Sequence, residues 1–170
     1  YPWDIAKLMA EQGLLGITIA EKDGGQGGSL MDAVLAIEAI AKFCPRSADV
    51  IQAGNFGAIR VLAEYGSDEQ KERLLAPMLK GEKLIAVAMT EPEAGSAATD
   101  LKTTASPDGD GFRVNGSKIF TTHGQFADVF LAYVRYGPGV GGIGSVLIER
   151  DQDGFKTGNP VRFMSGEEWV

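Results

Sequence analysis

The chain has 170 residues, 44% of them apolar and 23% charged, a composition that is ordinary for a globular protein and excludes a disordered tail. Its 16 Lys and Arg and 23 Asp and Glu give a net charge of −7, so nucleic acid and anionic membrane surfaces are poor candidates as partners. No apolar run approaches the roughly 18 residues that span a bilayer. The single cysteine, Cys44, excludes an internal disulfide and indicates a reducing compartment, which we expect to be the cytoplasm, or the mitochondrial matrix in a eukaryote.

The two ends of the chain have unusual sequences. Tyr1–Asp4 has neither an initiator Met nor the pattern of a signal peptide, and it is typical of a helix start with Pro2 in the first turn. Trp169 and Val170 close an apolar, strand-like stretch with no stop signal after it. We therefore expect a fragment of a longer chain; the alternative is a natural chain whose disordered ends were trimmed.

Helical spacing dominates the first eighty residues. Apolar residues recur with a period near 3.6, Ser29 is a suitable N-cap, and Ser67 with Gln70 forms a capping-box pattern. Pro45 predicts a break between helices. The four predicted helices are one that ends at Gly13, Leu30–Phe43, Arg46–Tyr65, and one from the Ser67 cap to Gly81. Four helices joined by short loops are typical of a helical bundle.

After Gly81 the apolar spacing changes to the period of two that strands show. Asp108–Gly111 is a hairpin signal. The predicted strands are Leu84–Met89, Phe112–Gly116, Ser117–Thr122, Asp128–Tyr136 and Gly144–Glu149, with Phe155–Gly158 as a possible last one. Short strands separated by turns predict an antiparallel barrel or sandwich. The predicted fold class is therefore α+β, an N-terminal helical bundle over residues 1–82 followed by a β-domain over residues 83–170.

Two segments carry residues suited to binding a ligand. Ala88–Ser96 leaves a strand, turns at Pro92 and exposes small residues over 94–96, where successive N–H groups can form an anion-binding concavity. Asn115–Gly124 places an aromatic and three hydroxyls on a strand and its exit. Each has a simpler interpretation, a polar turn for the first and a hydroxyl-rich hairpin strand for the second. The glycine spacing fits neither a P-loop nor a dinucleotide-binding fingerprint.

These two segments, together with two shorter ones before them and in this order along the chain, make the sequence similar to a known protein family. Because of Tyr65–Lys71, Gly81–Lys83, Met89–Ser96 and Asn115–Thr122, the chain resembles the acyl-CoA dehydrogenase family of flavoproteins. The similarity covers essentially the whole chain, as the later part of the family's N-terminal helical domain and most of its middle β-domain. The family's C-terminal helical domain has no counterpart in this sequence.

The resemblance implies that FAD is the cofactor and lies along the strand exit. Main-chain groups and the Thr90 hydroxyl are expected to bond to the edge of the isoalloxazine ring, where donors stabilise its reduced form. The matching cofactor-binding positions are Val87, Ala88, Met89, Thr90, Gly95, Ser96, Phe120, Thr121 and Thr122. Ser96 also matches a position that binds the acyl-CoA substrate.

Three positions depart from the family pattern. Phe120 stands where the family usually has Trp, so the stacking surface is kept and an indole N–H is lost. Ala97 replaces an Asp, which removes a local cap. His123 replaces an Asn, and we interpret it as a structural turn residue and not as a proton shuttle.

The reaction implied by the resemblance is α,β-dehydrogenation of an acyl-CoA thioester, with electrons passed to an electron-transfer flavoprotein. In the family a glutamate base, most often from the C-terminal domain, removes the α-proton. No residue here matches it, and Glu91 and Glu93 lie in the flavin turn, where Glu91 is interpreted as structural. We therefore expect no catalytic base in this chain and no activity from it alone. The full-length protein is expected to form a tetramer, as the family usually does.

Arginine gives the one indication of substrate. Arg46 begins the helix that lines the acyl pocket in the family, and Arg60 is predicted four turns further along it. Arg46 matches an arginine of the glutaryl-CoA dehydrogenases, and a desulfinase branch acting on sulfinylated acyl-CoA is similar in this respect. An anionic acyl tail would pair with the guanidinium. The alternative is a solvated arginine at a helix start.

Other functions fit the same residues. An acyl-CoA oxidase, a flavin monooxygenase or a desulfinase would keep the fold and change the chemistry. A non-catalytic module that binds an acyl-CoA or a partner protein is an alternative of another class.

Overall fold

The computed structural model of the chain describes residues 1–162 and 168–169. Contacts between Cα atoms divide the chain into two compact units, Tyr1–Ile85 and Ala86–Val170. The first is helical and the second is built on a β-sheet, which confirms the predicted α+β class. Within the described residues, no helix has the length and apolar character that crossing a membrane requires.

The helical unit begins where its capping residues predict. Ser29 accepts a hydrogen bond from the Asp32 backbone N–H, and Ser67 accepts one from Gln70, each within a complete capping box. Pro45 occupies the first turn of its helix. The α-helices are α1 Trp3–Glu11, α2 Leu30–Ala41, α3 Pro45–Ala53, α4 Ala58–Tyr65, α5 Asp68–Gln70 and α6 Ala76–Leu79, with a π-helix over Lys71–Leu75 between the last two.

The predicted single helix Arg46–Tyr65 is wrong, because the chain breaks between α3 and α4. Gly57, the residue that precedes α4, has a φ of 66°, which a continuous helix does not contain. Asn55 lies in the turn between the two helices, and its buried side chain donates to the carbonyls of Leu14 (2.7 Å) and Ile51 (2.8 Å). Arg60 therefore lies on α4, on a different helix from Arg46.

The core of the helical unit joins α1, α3 and the glycine-rich loop between α1 and α2. Ala6, Met9, Leu15, Val50 and Ile51 form one buried cluster. The loop is also tied to the π-helix, because the Lys71 ammonium lies 3.0 Å from the Asp23 carboxylate and both side chains are largely buried. These contacts hold a glycine-rich segment in one conformation.

The second unit contains a five-stranded sheet and a separate two-stranded one. The strands are β1 Ile85–Ala88, β2 Thr104–Asp108, β3 Gly111–Asn115, β4 Val129–Arg135, β5 Ile143–Glu149, β6 Val161–Arg162 and β7 Glu168–Trp169. The order in the larger sheet is β1-β4-β2-β3, with β5 also paired to β4. The predicted hairpin forms between β2 and β3, and β4 pairs antiparallel with β5 along its whole length. One pairing, Thr104 with Arg135, is parallel, so the sheet is mixed.

Two predicted strands are wrong. Ser117–Thr122 is irregular, and its conformation includes a φ of 54° at Phe120, which no strand contains. Phe155–Gly158 is also irregular, and the Phe155 ring is held instead by the ring of Phe130, with centroids 4.8 Å apart. Of the two last predicted strand residues, Trp169 lies in β7, and Val170 lies outside the described residues.

Candidate functional site

The two segments chosen from the sequence lie side by side in the second unit. The backbone N–H of Ile119 donates to the carbonyl of Thr90 at 2.9 Å. The neighbouring Lys118 ammonium donates to the carbonyl of Met89 at 3.1 Å. The exit of β1 is therefore fixed against residues 118–119, immediately before the predicted aromatic position. The structure thus brings together two stretches separated by almost thirty residues.

A buried carboxylate lies at the centre of this junction. The Glu91 side chain is only 6% exposed and its oxygens accept hydrogen bonds from the Lys102 backbone N–H (2.6 Å), the Thr103 backbone N–H (2.9 Å) and the Lys118 ammonium (2.8 Å). Burial by itself raises the pKa of the Glu91 carboxyl. The hydrogen bonds from Lys102, Lys118 and Thr103 outweigh burial and lower that pKa to about 2. Glu91 is therefore ionised and fully engaged, in agreement with its structural interpretation.

The turn after Glu91 is closed by a pair of backbone hydrogen bonds. The Glu91 N–H donates to the Ala94 carbonyl at 3.0 Å, and the Ala94 N–H donates back at 3.1 Å. The predicted concavity over residues 94–96 is therefore reduced, because the Ala94 N–H is already used. Gly95 and Ser96 are exposed, and among the described residues their N–H groups have no partner. Glu93, also exposed, pairs with the Lys102 ammonium.

The aromatic segment has a strained backbone. Phe120 and His123 have φ values of 54° and 60°, and they are the non-glycine residues with positive φ in the described chain. Such conformations persist where surrounding contacts enforce them, and they cluster at functional sites. Phe120 is 53% exposed and Thr122 is exposed, whereas the Thr121 side chain is buried. The segment therefore holds an aromatic ring outward on a fixed backbone.

His123 lies in the turn that follows. Its carbonyl accepts hydrogen bonds from the N–H groups of Phe126 (2.8 Å) and Ala127 (2.9 Å), as expected for a structural turn residue. At Ala97, the short 3₁₀ turn Ala98–Asp100 starts without a side-chain cap, as the missing Asp predicts.

Strand β1 contributes residues of different exposure to the site. Ala88 is buried, whereas Val87, Met89 and Thr90 are half-buried. The Thr90 N–H has no hydrogen-bond partner in the described part of the chain. A backbone donor that is half-buried and unpaired is a group that a ligand can satisfy.

A pocket of about 960 Å³ is lined in part by the segment Asn115–Gly124, through Ser117, Lys118 and Thr121. Of the predicted cofactor positions only Ala88 and Thr121 line it, alongside Phe130, Ile148 and Phe155. The pocket therefore overlaps little with the predicted set, whose other members lie elsewhere on the unit. No signal in the sequence predicted this pocket.

The hydroxyl of Thr103 is a buried polar group without a partner in the described residues. It is covered by backbone, because a Cβ at Gly116 would lie 2.4 Å from that hydroxyl. Only glycine fits at position 116, so this residue serves close packing.

Arg46 is exposed in the first turn of α3, and none of the described carboxylates forms an ion pair with it. Arg60 is half-buried on α4. No group of His, Cys, Asp and Glu suited to a metal ion occurs among the described residues.

The buried Lys118–Glu91 pair is what sequence reasoning missed. Lys118 lies in Asn115–Gly124, the second segment predicted to bind a ligand, but the sequence indicated no function for this lysine. The one available signal is that Glu91 lies three residues after the end of β1 and directly before Pro92, where a carboxylate can be covered by the sheet.

The helical unit and the mixed sheet define an α+β chain, and comparison with known families identifies its family. The model described as "Acyl-CoA dehydrogenase, N-terminal domain" matches residues 1–82, and that described as "Acyl-CoA dehydrogenase, middle domain" matches residues 86–167. The chain belongs to the acyl-CoA dehydrogenase family.

Two curated relatives illustrate the range of activities in the family. The chain is 34% identical over 160 residues to the short-chain specific acyl-CoA dehydrogenase of Clostridium acetobutylicum, covering 93% of this chain and 42% of the relative. It is 38% identical over 135 residues to the 3-sulfinopropanoyl-CoA desulfinase of Paraburkholderia xenovorans, covering 79% of this chain and 34% of the relative. The chain thus spans well under half the length of these relatives.

Among solved structures, the FAD complex of PigA superposes with a TM-score of 0.90 at 30% identity. The match covers 98% of this chain and 45% of that structure. The fold is therefore shared with a protein whose structure contains FAD.

Proposed function

We propose that the full-length protein carrying this sequence is an FAD-dependent enzyme that dehydrogenates an acyl-CoA thioester between its α- and β-carbons. In this proposal residues 1–82 are the later part of the helical domain and residues 83–170 belong to the middle β-domain. Electrons pass to an electron-transfer flavoprotein. The observation that carries the proposal is the junction between the exit of β1 and residues 118–122.

The residues at this junction fit a flavin. A flat ring system needs an aromatic face to stack on, and Phe120 offers one that is half-exposed on a constrained backbone. It also needs hydrogen-bond donors at its edge, and the N–H groups of Thr90, Gly95 and Ser96 are unpaired among the described residues. Val87, Ala88, Met89, Thr121 and Thr122 complete the proposed cofactor-binding set. Bound FAD supplies the acceptor for the hydride that leaves the β-carbon.

In this proposal the chain positions the reactants, and neither carboxylate of the turn after β1 supplies the base. A carboxylate whose pKa is about 2 is a weak base, and the Glu91 oxygens are already occupied by three donors. Glu93 is exposed and paired with Lys102. We therefore place the base in sequence outside this chain, and we assign Ser96 as the contact to the acyl-CoA.

A sulfinylated acyl-CoA is the second candidate substrate. The exposed guanidinium of Arg46, which forms an ion pair with none of the described carboxylates, favours it, together with the similarity to a 3-sulfinopropanoyl-CoA desulfinase. In that case the protein would release sulfite from its substrate. Arg46 would then be the partner of the anionic tail.

The experiment is a purification of the full-length protein followed by substrate reduction without oxygen. We expect a yellow protein whose flavin absorbance bleaches with an acyl-CoA and returns on addition of an electron-transfer flavoprotein. Fast return in air alone indicates an oxidase or a monooxygenase, and sulfite release identifies a desulfinase. A protein that binds an acyl-CoA and no flavin contradicts the proposal and leaves the non-catalytic module.

A tetrameric assembly and a cytoplasmic or mitochondrial-matrix location belong to the same proposal. Size-exclusion chromatography with light scattering tests the first, and fractionation of cells that express the full-length protein tests the second.

A further inference from the structure

The peptide group between Met89 and Thr90 is held from one side only. Its carbonyl oxygen accepts a hydrogen bond from the Lys118 ammonium at 3.1 Å. The described peptide bonds are all trans, and in a trans peptide the C=O and N–H bonds point in opposite directions. The Thr90 N–H therefore points away from Lys118, and no described group accepts from it.

Lys118 is itself fixed by Glu91. The two side chains are 11% and 6% exposed and lie 2.8 Å apart. A buried ammonium needs a partner of opposite charge, and Glu91 is anchored in turn by the backbone N–H groups of Lys102 and Thr103. The hydrogen bonds thus run from a rigid backbone through Glu91 and Lys118 to the Met89 carbonyl.

We propose that Lys118, held by Glu91, is a positioning residue that orients the Met89–Thr90 peptide group so that the Thr90 N–H faces the flavin. The inference rests on the proposed function. Without the ammonium the Met89 carbonyl loses its partner, and the peptide group is free to rotate. The N–H donor to the ring edge is then lost for part of the time, which weakens FAD binding and changes the ring's reduction potential.

The decisive variant is the double substitution Glu91→Gln with Lys118→Met in the full-length protein. It removes one positive and one negative charge together, so any change in flavin potential does not come from a change in net charge. It also avoids leaving a lone buried charge, which single substitutions would do. The matched control is the double substitution Glu93→Gln with Lys102→Met, which removes an ion pair of the same charges from the surface, where the two side chains are 69% and 73% exposed.

Two quantities are measured, the dissociation constant of FAD for the apoprotein and the midpoint potential of the bound flavin. We expect the double variant to bind FAD about tenfold more weakly and to have a more negative potential, with the control unchanged in both. The midpoint potential distinguishes a positioning role of Lys118 from a role in stability alone. A variant that is only less stable still binds its flavin in the same surroundings, so the midpoint potential of the bound flavin does not change.

A folded double variant with the affinity and potential of the wild type overturns the inference. If the double variant does not fold, Lys118→Arg decides, because it keeps a cation beside Glu91 while changing the geometry at the Met89 carbonyl. Weaker FAD binding with a shifted potential in Lys118→Arg supports the inference, and wild-type values overturn it. If the wild-type protein itself binds no FAD, the proposed function is contradicted. That result is seen in the wild type and is therefore distinguishable from any effect of the variants.

Discussion

The carbonyl of Thr90 accepts a hydrogen bond from the backbone N–H of Ile119 at 2.9 Å. This bond joins the end of β1 to the segment that places Phe120 in a left-handed conformation with its ring half-exposed. An edge of backbone donors and an aromatic face are therefore held at a fixed spacing.

Acid should destabilise the protein through Glu91. The pKa of its carboxyl is about 2 in the folded chain and near 4.5 when unfolded, so its contribution is complete above about pH 4.5 and is lost as the pH falls towards 2. The shift corresponds to about 3 kcal/mol. Between those pH values, the free energy of unfolding should fall by about that amount more in the wild type than in Glu91→Gln, as measured by urea denaturation. Equal losses in the two proteins would reject the assignment. Glu93→Gln, which alters an exposed carboxylate in the same turn, should keep most of the wild-type dependence.

Removing the ring of Phe120 should affect the cofactor more than the fold. A stacked aromatic contributes about 0.5–1.5 kcal/mol, so Phe120→Ala should bind FAD about two- to tenfold more weakly. The free energy of unfolding of the apoprotein should change by only about 0.5 kcal/mol, because the ring is half-exposed. Fluorescence titration and thermal denaturation measure the two effects. Phe126→Ala removes another exposed ring and should leave FAD affinity as it is; equal weakening by both variants would speak against stacking at Phe120.

Asn55→Ala should destabilise the helical unit. Its side chain donates to the Leu14 and Ile51 carbonyls and accepts from the Thr18 backbone N–H, so the variant leaves buried backbone groups unpaired. We expect a loss of about 2–4 kcal/mol in the free energy of unfolding, measured by chemical denaturation. Gln52→Ala, at an exposed position of α3, should cost about 0.5 kcal/mol or less. A similar small loss in both variants would show that Asn55 does not hold the break between α3 and α4.

Arg46→Ala should discriminate between substrates in the full-length enzyme. If its guanidinium pairs with an anionic tail, binding of a dicarboxylyl or sulfinylated acyl-CoA should weaken by about 2–5 kcal/mol, while a plain fatty acyl-CoA should be unaffected. Steady-state kinetics on both substrates measure the difference. Lys42→Ala removes an exposed cation nearby in sequence and serves as the control. Equal losses on both substrates in Arg46→Ala would show that Arg46 does not recognise the anionic tail.

The sequence predicted an element of the fold well where that element depends only on residues close to it in the chain. The caps at Ser29 and Ser67 and the hairpin at 108–111 depend on neighbouring residues only, and the structure contains all three. The break at Asn55 depends on hydrogen bonds to residues about forty positions earlier in the chain, so helical periodicity extended the helix across it. The irregular path of Ser117–Thr122 likewise depends on Met89, Thr90 and Glu91, which alternation within the segment does not indicate.

The candidate site was predicted as a set of positions and not as a geometry. The resemblance identified the two segments, whereas the hydrogen bonds that join them are tertiary contacts. For Ala94 the expectation of a free N–H failed, because a two-residue turn closes on itself there. The sequence predicted no role for Lys118, because nothing in its position distinguishes it from other polar residues of a hydroxyl-rich strand. Its burial became apparent only with the structure.

Hydrogen exchange of individual backbone amides in the full-length protein, recorded without and with FAD, shows whether the cofactor lies against the exit of β1. We expect FAD to slow exchange at Thr90, Gly95 and Ser96, with Phe120–Thr122 also protected. Protection confined to other residues of the pocket lining, at Phe130, Ile148 and residues 152–158, with Thr90 and Gly95 unchanged, would contradict this expectation.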